Sequence, residues 1–306
     1  TGVSPSRQAS CAQIVRLYIV PTLGHRRLSA LSTLEIQGLV SRHVAAGLAP
    51  STIKVIHSTF RTALGRAVTW RLVSRNPAVG VTVPRVITRP PAAWSAEQVR
   101  VFLAATADHP LHPLWRLSLD TGMRPGEAVV VRWGDLDLDR GVLTVARTMT
   151  RDARFRPVVG ETTKTGAARR VTLTPETVAC LRAHRSVAGT IDRAAYVFAR
   201  PDGRPVAPRS VGTAFARSIA STDLPAIRLH DLRHTNITLL IAAGVPVTVI
   251  AERVGHARVS MTLDTYAHVL AGMRDDAARA LSALFTPPRD PDVTTDDADR
   301  SKSAPA

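Results

Sequence analysis

Apolar residues recur at helical spacing through most of the chain. The clearest run is Ile53, Ile56, Phe60, Leu64 and Val68, separated by 3, 4, 4 and 4 positions along one face, which predicts a helix starting near Pro50-Ser51. Upstream, Ala12 to Val20 reads as a short helix closed by Pro21 and Gly24. Ser32 followed by Glu35 is a capping-box pattern that opens a helix running toward Gly47. Residues 1–9 are polar and are expected to fray. Asn76-Pro77 ends the helical stretch, and Val83-Pro84-Arg85 through Pro91 reads as extended linker, because proline and the residue before it avoid helical geometry. The expected division is a helical domain over 10–84, a linker over 85–92, a second domain over 93–286 and a tail over 287–306.

The second domain opens with another capping-box pattern, Ser95 with Gln98, and a helix from Ala96 to about Ala107. A helix over Pro113 to Asp120 precedes Thr121-Gly122-Met123-Arg124. Pro125 suits the first turn of the next helix, which puts Arg124 at a helix N-terminus, where backbone N–H groups add to its attraction for an anion. Beyond Trp133 the period changes to two. Leu136 and Leu138, a turn at Asp139-Arg140-Gly141 and Val142 to Val145 read as a hairpin, with Arg170 to Leu173 as a third strand. Thr148 to Ala168 reads as a long loop rich in arginine. Further helices are expected from Pro175 to about Val187, Pro208 to Ile219 and Leu229 to Gly244, the last with Leu229, Leu232, Leu239, Leu240 and Ala243 facing inward. Pro246 to Val254 ends at Gly255 and leaves His256 in a turn, Ser260 to Val269 carries Tyr266, and Met273 to Leu284 reads as a last amphipathic helix. The tail lacks the apolar content to fold. The class is mostly α with a small antiparallel β-sheet, an α+β fold.

Composition narrows the partners. At 306 residues and 45% apolar the chain can supply two cores. Lys plus Arg is 40 against 24 for Asp plus Glu, a formal charge of +16, which favours a polyanion. GC-rich coding explains why only Lys54, Lys164 and Lys302 are lysines, but not the excess of cations over anions. Cys11 and Cys180 form no C-x-x-C and suggest neither a disulfide framework nor a zinc site, which suits a reducing cytoplasm. Runs of about 18 apolar residues and signal-peptide patterns are missing, so neither a membrane span nor export is expected. Thr1 in place of a methionine suggests a fragment of a longer chain.

His230 and Arg233 lie three apart in Leu229-His230-Asp231-Leu232-Arg233-His234-Thr235, so on a helix they share a face and can act on one small anion such as a phosphate. Val254-Gly255-His256 and Tyr266 follow. Upstream stand Arg124, with Glu127 three residues on, and Lys164 in Thr162-Thr163-Lys164-Thr165-Gly166. The ordered set Arg124, Lys164, His230 with Arg233, His256 and Tyr266 resembles the signature of the tyrosine recombinase (phage integrase) family. The resemblance covers most of the chain, since residues 10–84 look like that family's helical, SAM-like core-binding domain and the second domain like its catalytic domain. It implies a site-specific DNA recombinase that cuts and rejoins strands through a 3′-phosphotyrosine, without cofactor or metal. Double-stranded DNA, a homotetramer on two duplexes and an accessory directionality factor are the implied partners, in the bacterial cytoplasm at the nucleoid. Within it, Lys54, Arg61 and Arg66 on the outer face of the third helix are the implied DNA contacts, and Met273 to Leu284 the helix exchanged between subunits. A type IB topoisomerase-like activity, or a protein that binds DNA without cleaving, would use the same fold.

The chemistry fits these residue types. Charge develops on the non-bridging oxygens of an attacked phosphodiester, and a guanidinium meets two of them with a planar fork, the role expected of Arg124 and Arg233. Glu127 would support Arg124 from behind. Tyr266 is the expected nucleophile, with His230 as base and His256 as donor to a phosphate oxygen. Proton supply to the leaving 5′ oxygen by Lys164 is implied by the resemblance. His234 and His268 flank motif residues and are expected to be structural. Arg169 is set aside as a rival to Lys164, because an arginine holds its proton too tightly to act as an acid.

Overall fold

The computed structural model describes residues 4–87, 92–160, 167–189, 192–271, 282 and 285. Its first helix departs from expectation. α1 (Pro5–Ile14) begins inside the stretch expected to fray, because the Ser4 hydroxyl accepts from the Arg7 N–H and Pro5 presets the first turn. The helix then passes Pro21 instead of ending there. A π-turn over Val15–Ile19 shifts the hydrogen-bond ladder just ahead of it, so the missing proline N–H falls at the start of α2 (Val20–Leu23).

α3 (Thr33–Ala45) carries the full capping box, with Ser32 Oγ accepting from the Glu35 N–H and the Glu35 carboxylate accepting from the Ser32 N–H. α4 (Pro50–Thr69) buries Ile53, Ile56, Phe60 and Leu64 as their spacing requires, and Ala67 in place of Val68 completes the stripe. These side chains meet Ile19, Leu23, Ile36, Leu39, Val40, Ala78 and Val81 in one apolar core. Each fully buried Leu, Ile or Phe in such a core contributes ~1.5–3 kcal/mol.

A second core gathers α5 (Ala96–Ala105), α6 (His112–Thr121), α7 (Pro125–Ala128), α8 (Pro175–Ala188), α9 (Pro208–Ala220) and two small sheets around Trp94, Phe102, Trp115 and Phe215. β1 (Leu136–Asp137), β2 (Val142–Val145) and β5 (Arg169–Thr172) form an antiparallel sheet in the order β1-β2-β5, with Leu143 opposite Val171 and Val145 opposite Arg169. The expected long loop instead contains a hairpin, β3 (Thr148–Arg151) and β4 (Pro157–Gly160). Its turn is held by the Asp152 carboxylate, which accepts from the N–H groups of Arg154 and Arg156.

The mostly helical α+β class is what the structure shows. α10 (Asp231–Ala242), α11 (Val247–Val254) and α12 (Ser260–Ala271) complete it. α10 does not bury the leucine stripe expected of it. Leu232 is buried, but Ala243 is exposed, and Arg233, Thr235, Asn236, Ile237 and Ile241 are buried instead. The helix is covered on several sides, by α6, α11 and α12, so its inward surface is wider than one leucine row and accommodates polar groups. Among the described residues no helix is long and apolar enough to cross a membrane. Lys164, Met273 to Leu284 except Ser282, and the tail over 287–306 lie outside the described residues.

Candidate active site

Three arginines converge on the C-terminal end of α11. The last carbonyls of a helix have no partner within it and carry its negative partial charge, so they attract cations. Here Arg253 O accepts from Arg169 Nε at 2.9 Å, Val254 O from Arg233 Nη1 at 2.6 Å and Gly255 O from Arg124 Nη2 at 3.0 Å. Arg233 Nη1 also donates to Gly122 O at 2.8 Å. Gly122 and Gly255 close α6 and α11 with φ of 61° and 71°, a left-handed turn that glycine adopts freely. Neither has room for a side chain: a Cβ would stand 2.6 Å from Asn236 Oδ1 at Gly122 and 2.9 Å from Arg169 Nη1 at Gly255.

One buried carboxylate sits among these cations. Glu127 accepts from Arg124 Nη1 at 2.9 Å and from Arg169 Nη2 at 2.7 Å, and it takes the Arg124 N–H at 3.0 Å. Burial pushes its carboxyl upward, but the hydrogen bond and charge of Arg169, joined by Arg124, hold it below the ordinary carboxylate range. Arg233 is more exceptional. Burial, then the nearby Arg124 charge, push its guanidinium down to about 9. Its Nη2 is buried with no hydrogen-bond partner among the described residues, and the same holds for Arg169 Nη1. Unpaired buried donors cost ~1–3 kcal/mol each, and these lie where positive charge is in excess.

The histidines and the tyrosine border this cluster. His230 is the N-cap of α10, and burial of the inner part of its ring, then the charges of Arg233 and more weakly Arg228 and Arg124, lower its pKa. His256 Nδ1 lies 2.7 Å from the Thr262 hydroxyl, and burial, then Arg233 and Arg124, lower its pKa to about 4. A threonine proton donated to Nδ1 leaves Nε2 as the N–H donor of the neutral ring. Tyr266 is buried against Ile237, Ile241, Ile250 and Val254 at a non-helical break inside α12, with φ −114° and ψ 16°. Burial raises its phenol pKa, against the lowering influence of Arg233.

The phenol hydroxyl bonds to Nδ1 of His234, not to His230. His230, expected to act as base toward Tyr266, makes no hydrogen bond to it here, and His234, expected to be structural, is the ring at the phenol. At the start of α10, His230 turns outward, and one turn later the buried face brings His234 under α12. Arg169, set aside in the sequence, belongs to the cluster, and strand parity marks it: on β5 it shares the inward face with buried Val171, whereas Arg170 points out. Lys54, Arg61 and Arg66 are exposed on α4, the helix that packs into the first apolar core. The side chain of His268 lies outside the described residues.

The sequence profile of the Phage integrase family matches residues 95–273. A XerC-like tyrosine recombinase of Caldanaerobacter subterraneus is 23% identical over 284 residues, covering 85% of this chain and 73% of that protein. The Tn1549 transposon integrase, solved in complex with transposon right end DNA, superposes with a TM-score of 0.80 at 20% identity, covering 93% of this chain and 95% of that one. A lambda integrase tetramer bound to a Holliday junction gives a TM-score of 0.68 at 17% identity over 86% of this chain and 72% of that one. The structural likenesses show the shared fold, and the profile spans more than half of the chain: this protein belongs to the phage integrase family, the tyrosine recombinases.

Proposed function

We propose that this chain is a site-specific DNA recombinase that cleaves and rejoins strands through a covalent 3′-phosphotyrosyl intermediate. The observation that carries this reading is the arginine cluster, where a buried guanidinium nitrogen of Arg233 has no partner among the described residues beside Arg124 and Arg169. A phosphodiester oxygen would satisfy that donor and balance the surplus charge. Arg124 and Arg233 would clamp the non-bridging oxygens, His256 Nε2 would donate to the same phosphate, His230 would act as base, and Glu127 would hold Arg124 in place. Tyr266 would attack, and Lys164 would protonate the leaving 5′ oxygen. Because Tyr266 is buried, α12 has to shift before a phosphate reaches its oxygen. Each bond broken is replaced by one of similar energy, so the cycle needs no ATP.

The body over 10–84 would clamp the far side of the duplex through Lys54, Arg61 and Arg66, and residues 93–286 would carry the chemistry. A charge of +16 supports duplex DNA as the partner. The DNA-bound transposon and lambda integrases support the same partner, and the lambda tetramer on a Holliday junction supports a tetramer on two duplexes; action at the bacterial nucleoid with an accessory directionality factor would go with that reading.

The test is a covalent protein-DNA adduct on a denaturing gel, using duplexes that carry the junction sequences of the excised element. The parent forms the adduct and Tyr266→Phe forms none. A parent that binds the junction tightly yet never forms it would be a DNA-binding protein without cleavage activity.

A further inference from the structure

Arg169 is the third guanidinium at the end of α11, and no step of the proposed cleavage uses it. Its place follows from strand parity: opposite Val145 on β2, it leaves β5 on the inward face, and its side chain is 9% exposed. Two donors of its planar fork are divided between two elements. Nε donates to Arg253 O on the last turn of α11 at 2.9 Å, and Nη2 to the Glu127 carboxylate on α7 at 2.7 Å. Glu127 in turn accepts from the guanidinium and the backbone N–H of Arg124, and Arg124 Nη2 donates to Gly255 O at 3.0 Å. The bonds form a closed circuit that runs from Arg169 through Glu127, Arg124 and Gly255 and returns along the α11 backbone to Arg253.

We propose that Arg169 is a positioning residue for strand cleavage: by bridging Glu127 and the end of α11, it fixes Arg124 and the Gly255-His256 turn in one frame that faces a single phosphate. This rests on the reading of Arg124 and His256 as phosphate ligands.

Three features suit this role. α7 is a single turn of four residues, too short to set the direction of Arg124 by its own hydrogen bonds, so the link to β5 and α11 has to supply it. Gly255 rests directly on the fork, since a Cβ there would stand 2.9 Å from Arg169 Nη1 and 3.1 Å from its Cδ and Cζ. Burial opposes the charge of Glu127, and the hydrogen bond from Arg169 is the strongest of the influences that preserve it. The bridge needs two donors set at a fixed angle, which a guanidinium has and the point charge of an ammonium lacks. None of these contacts involves α12, so the frame can persist while that helix shifts to present Tyr266.

The experiment measures single-turnover adduct formation by the full chain, and its DNA affinity, on a duplex carrying the mapped junction. Arg169→Ala should form adduct ~10²-fold more slowly yet bind the duplex within about threefold of the parent, because a displaced frame costs rate and not docking. Arg169→Lys keeps a cation beside Glu127 but no fork, and should be slowed about tenfold. If the Ala variant does not fold, the Lys variant carries the same comparisons. A second substrate has one non-bridging oxygen of the scissile phosphate replaced by methyl, which removes the charge there, and each diastereomer is tested. On the one lacking the oxygen that Arg124 meets, the deficit of either Arg169 variant should shrink about tenfold, since less charge is left for the clamp to meet. A fold defect would slow every substrate alike. A parental rate in either variant, a loss of affinity that matches the loss of rate, or the same deficit on charged and neutral phosphates would each overturn the proposal. Arg124→Ala in the same series keeps the two ideas apart: a parental rate there ends the phosphate-ligand reading, whereas a slow Arg124→Ala beside parental Arg169 variants ends this proposal alone.

Discussion

Around α3 and α4 the interior is Ile19, Leu23, Ile36, Leu39, Ile53, Ile56, Phe60 and Leu64, and among the described residues no polar or charged side chain before Thr106 is buried. Around α10 and α11 the interior holds Glu127, Asp231, Arg233, Thr235, Asn236 and Thr262. Every buried side-chain nitrogen or oxygen without a partner among the described residues also falls in the later part, from Trp115 to Arg253. The first core satisfies itself with apolar contact. The second holds cations that α11 carbonyls and one carboxylate compensate only in part, and that unmet demand is what an anionic backbone can answer.

The largest expected effect tests whether Glu127 holds that second interior together. Glu127→Ala leaves Arg124 and Arg169 facing each other without their shared carboxylate, and breaking a buried pair in this way costs ~3–5 kcal/mol. Trp94, Trp115 and Trp133 are buried in the same core, so urea denaturation followed by tryptophan fluorescence reports it. A loss below ~1 kcal/mol, the scale of a surface pair, would mean that the α11 carbonyls alone hold the arginines. Next comes Arg233→Ala, which should slow cleavage about a hundredfold or more, the ~2.7–4 kcal/mol typical of a preorganised donor. It should cost less stability than Glu127→Ala, because it removes a crowded cation with one unsatisfied nitrogen. Equal stability losses would erase the distinction between holding the cluster and using it.

The sequence made the first core readable because a single helical period decides it, as at Ile53 to Leu64, and because Ser32 with Glu35 marks a helix start by local hydrogen bonding. Arg124 at the head of α7 and His256 after Gly255 were legible for the same local reason, proline and glycine acting as punctuation. The partners of these side chains were not legible. That Arg169 crosses to Glu127, or that Tyr266 chooses His234 over His230, depends on how β5, α10, α11 and α12 come together, and no spacing within one element encodes that. The β3–β4 hairpin was hidden by its arginines, which read as loop while the Asp152 turn made the pairing possible.

A smaller effect follows from the histidines of the second interior. His256 titrates near 4 because of burial and then Arg233, and burial also leads the lowering at His230 and His234. An unfolded histidine titrates near ~6.5, so between that value and about 4 the unfolded chain binds more protons than the folded one. Their contribution to stability is thus complete above pH ~6.5 and is lost as pH falls toward 4, at roughly 2–4 °C of melting temperature for each kcal/mol. Calorimetry from pH 7.5 to 5 should show this decline. Inorganic phosphate should reduce it, because an anion at the arginines removes part of its cause. A melting temperature flat across that range would mean that the rings are hydrated and not enclosed by the cluster.

The smallest effect uses one motif that occurs beside each of the two cores. Ser32 and Ser95 each accept the N–H of the third helical residue at 3.2 Å, and Glu35 or Gln98 returns the bond at 2.9 Å. Removing either hydroxyl by Ser→Ala should cost ~1 kcal/mol without altering cleavage. The ion pair of Glu35 with Arg26 adds little, being exposed to solvent. Position nonetheless differs, since Trp94 beside Ser95 donates its N–H to Thr235 on α10 at 3.1 Å and its indole N–H to Pro225 O at 2.9 Å. If Ser95→Ala costs several times what Ser32→Ala does, the α5 start is tied through Trp94 to the helix bearing Arg233 and His234. The polar interior then sets the stability of elements well outside the site, and the contrast between the two cores becomes one of cooperativity as well as composition.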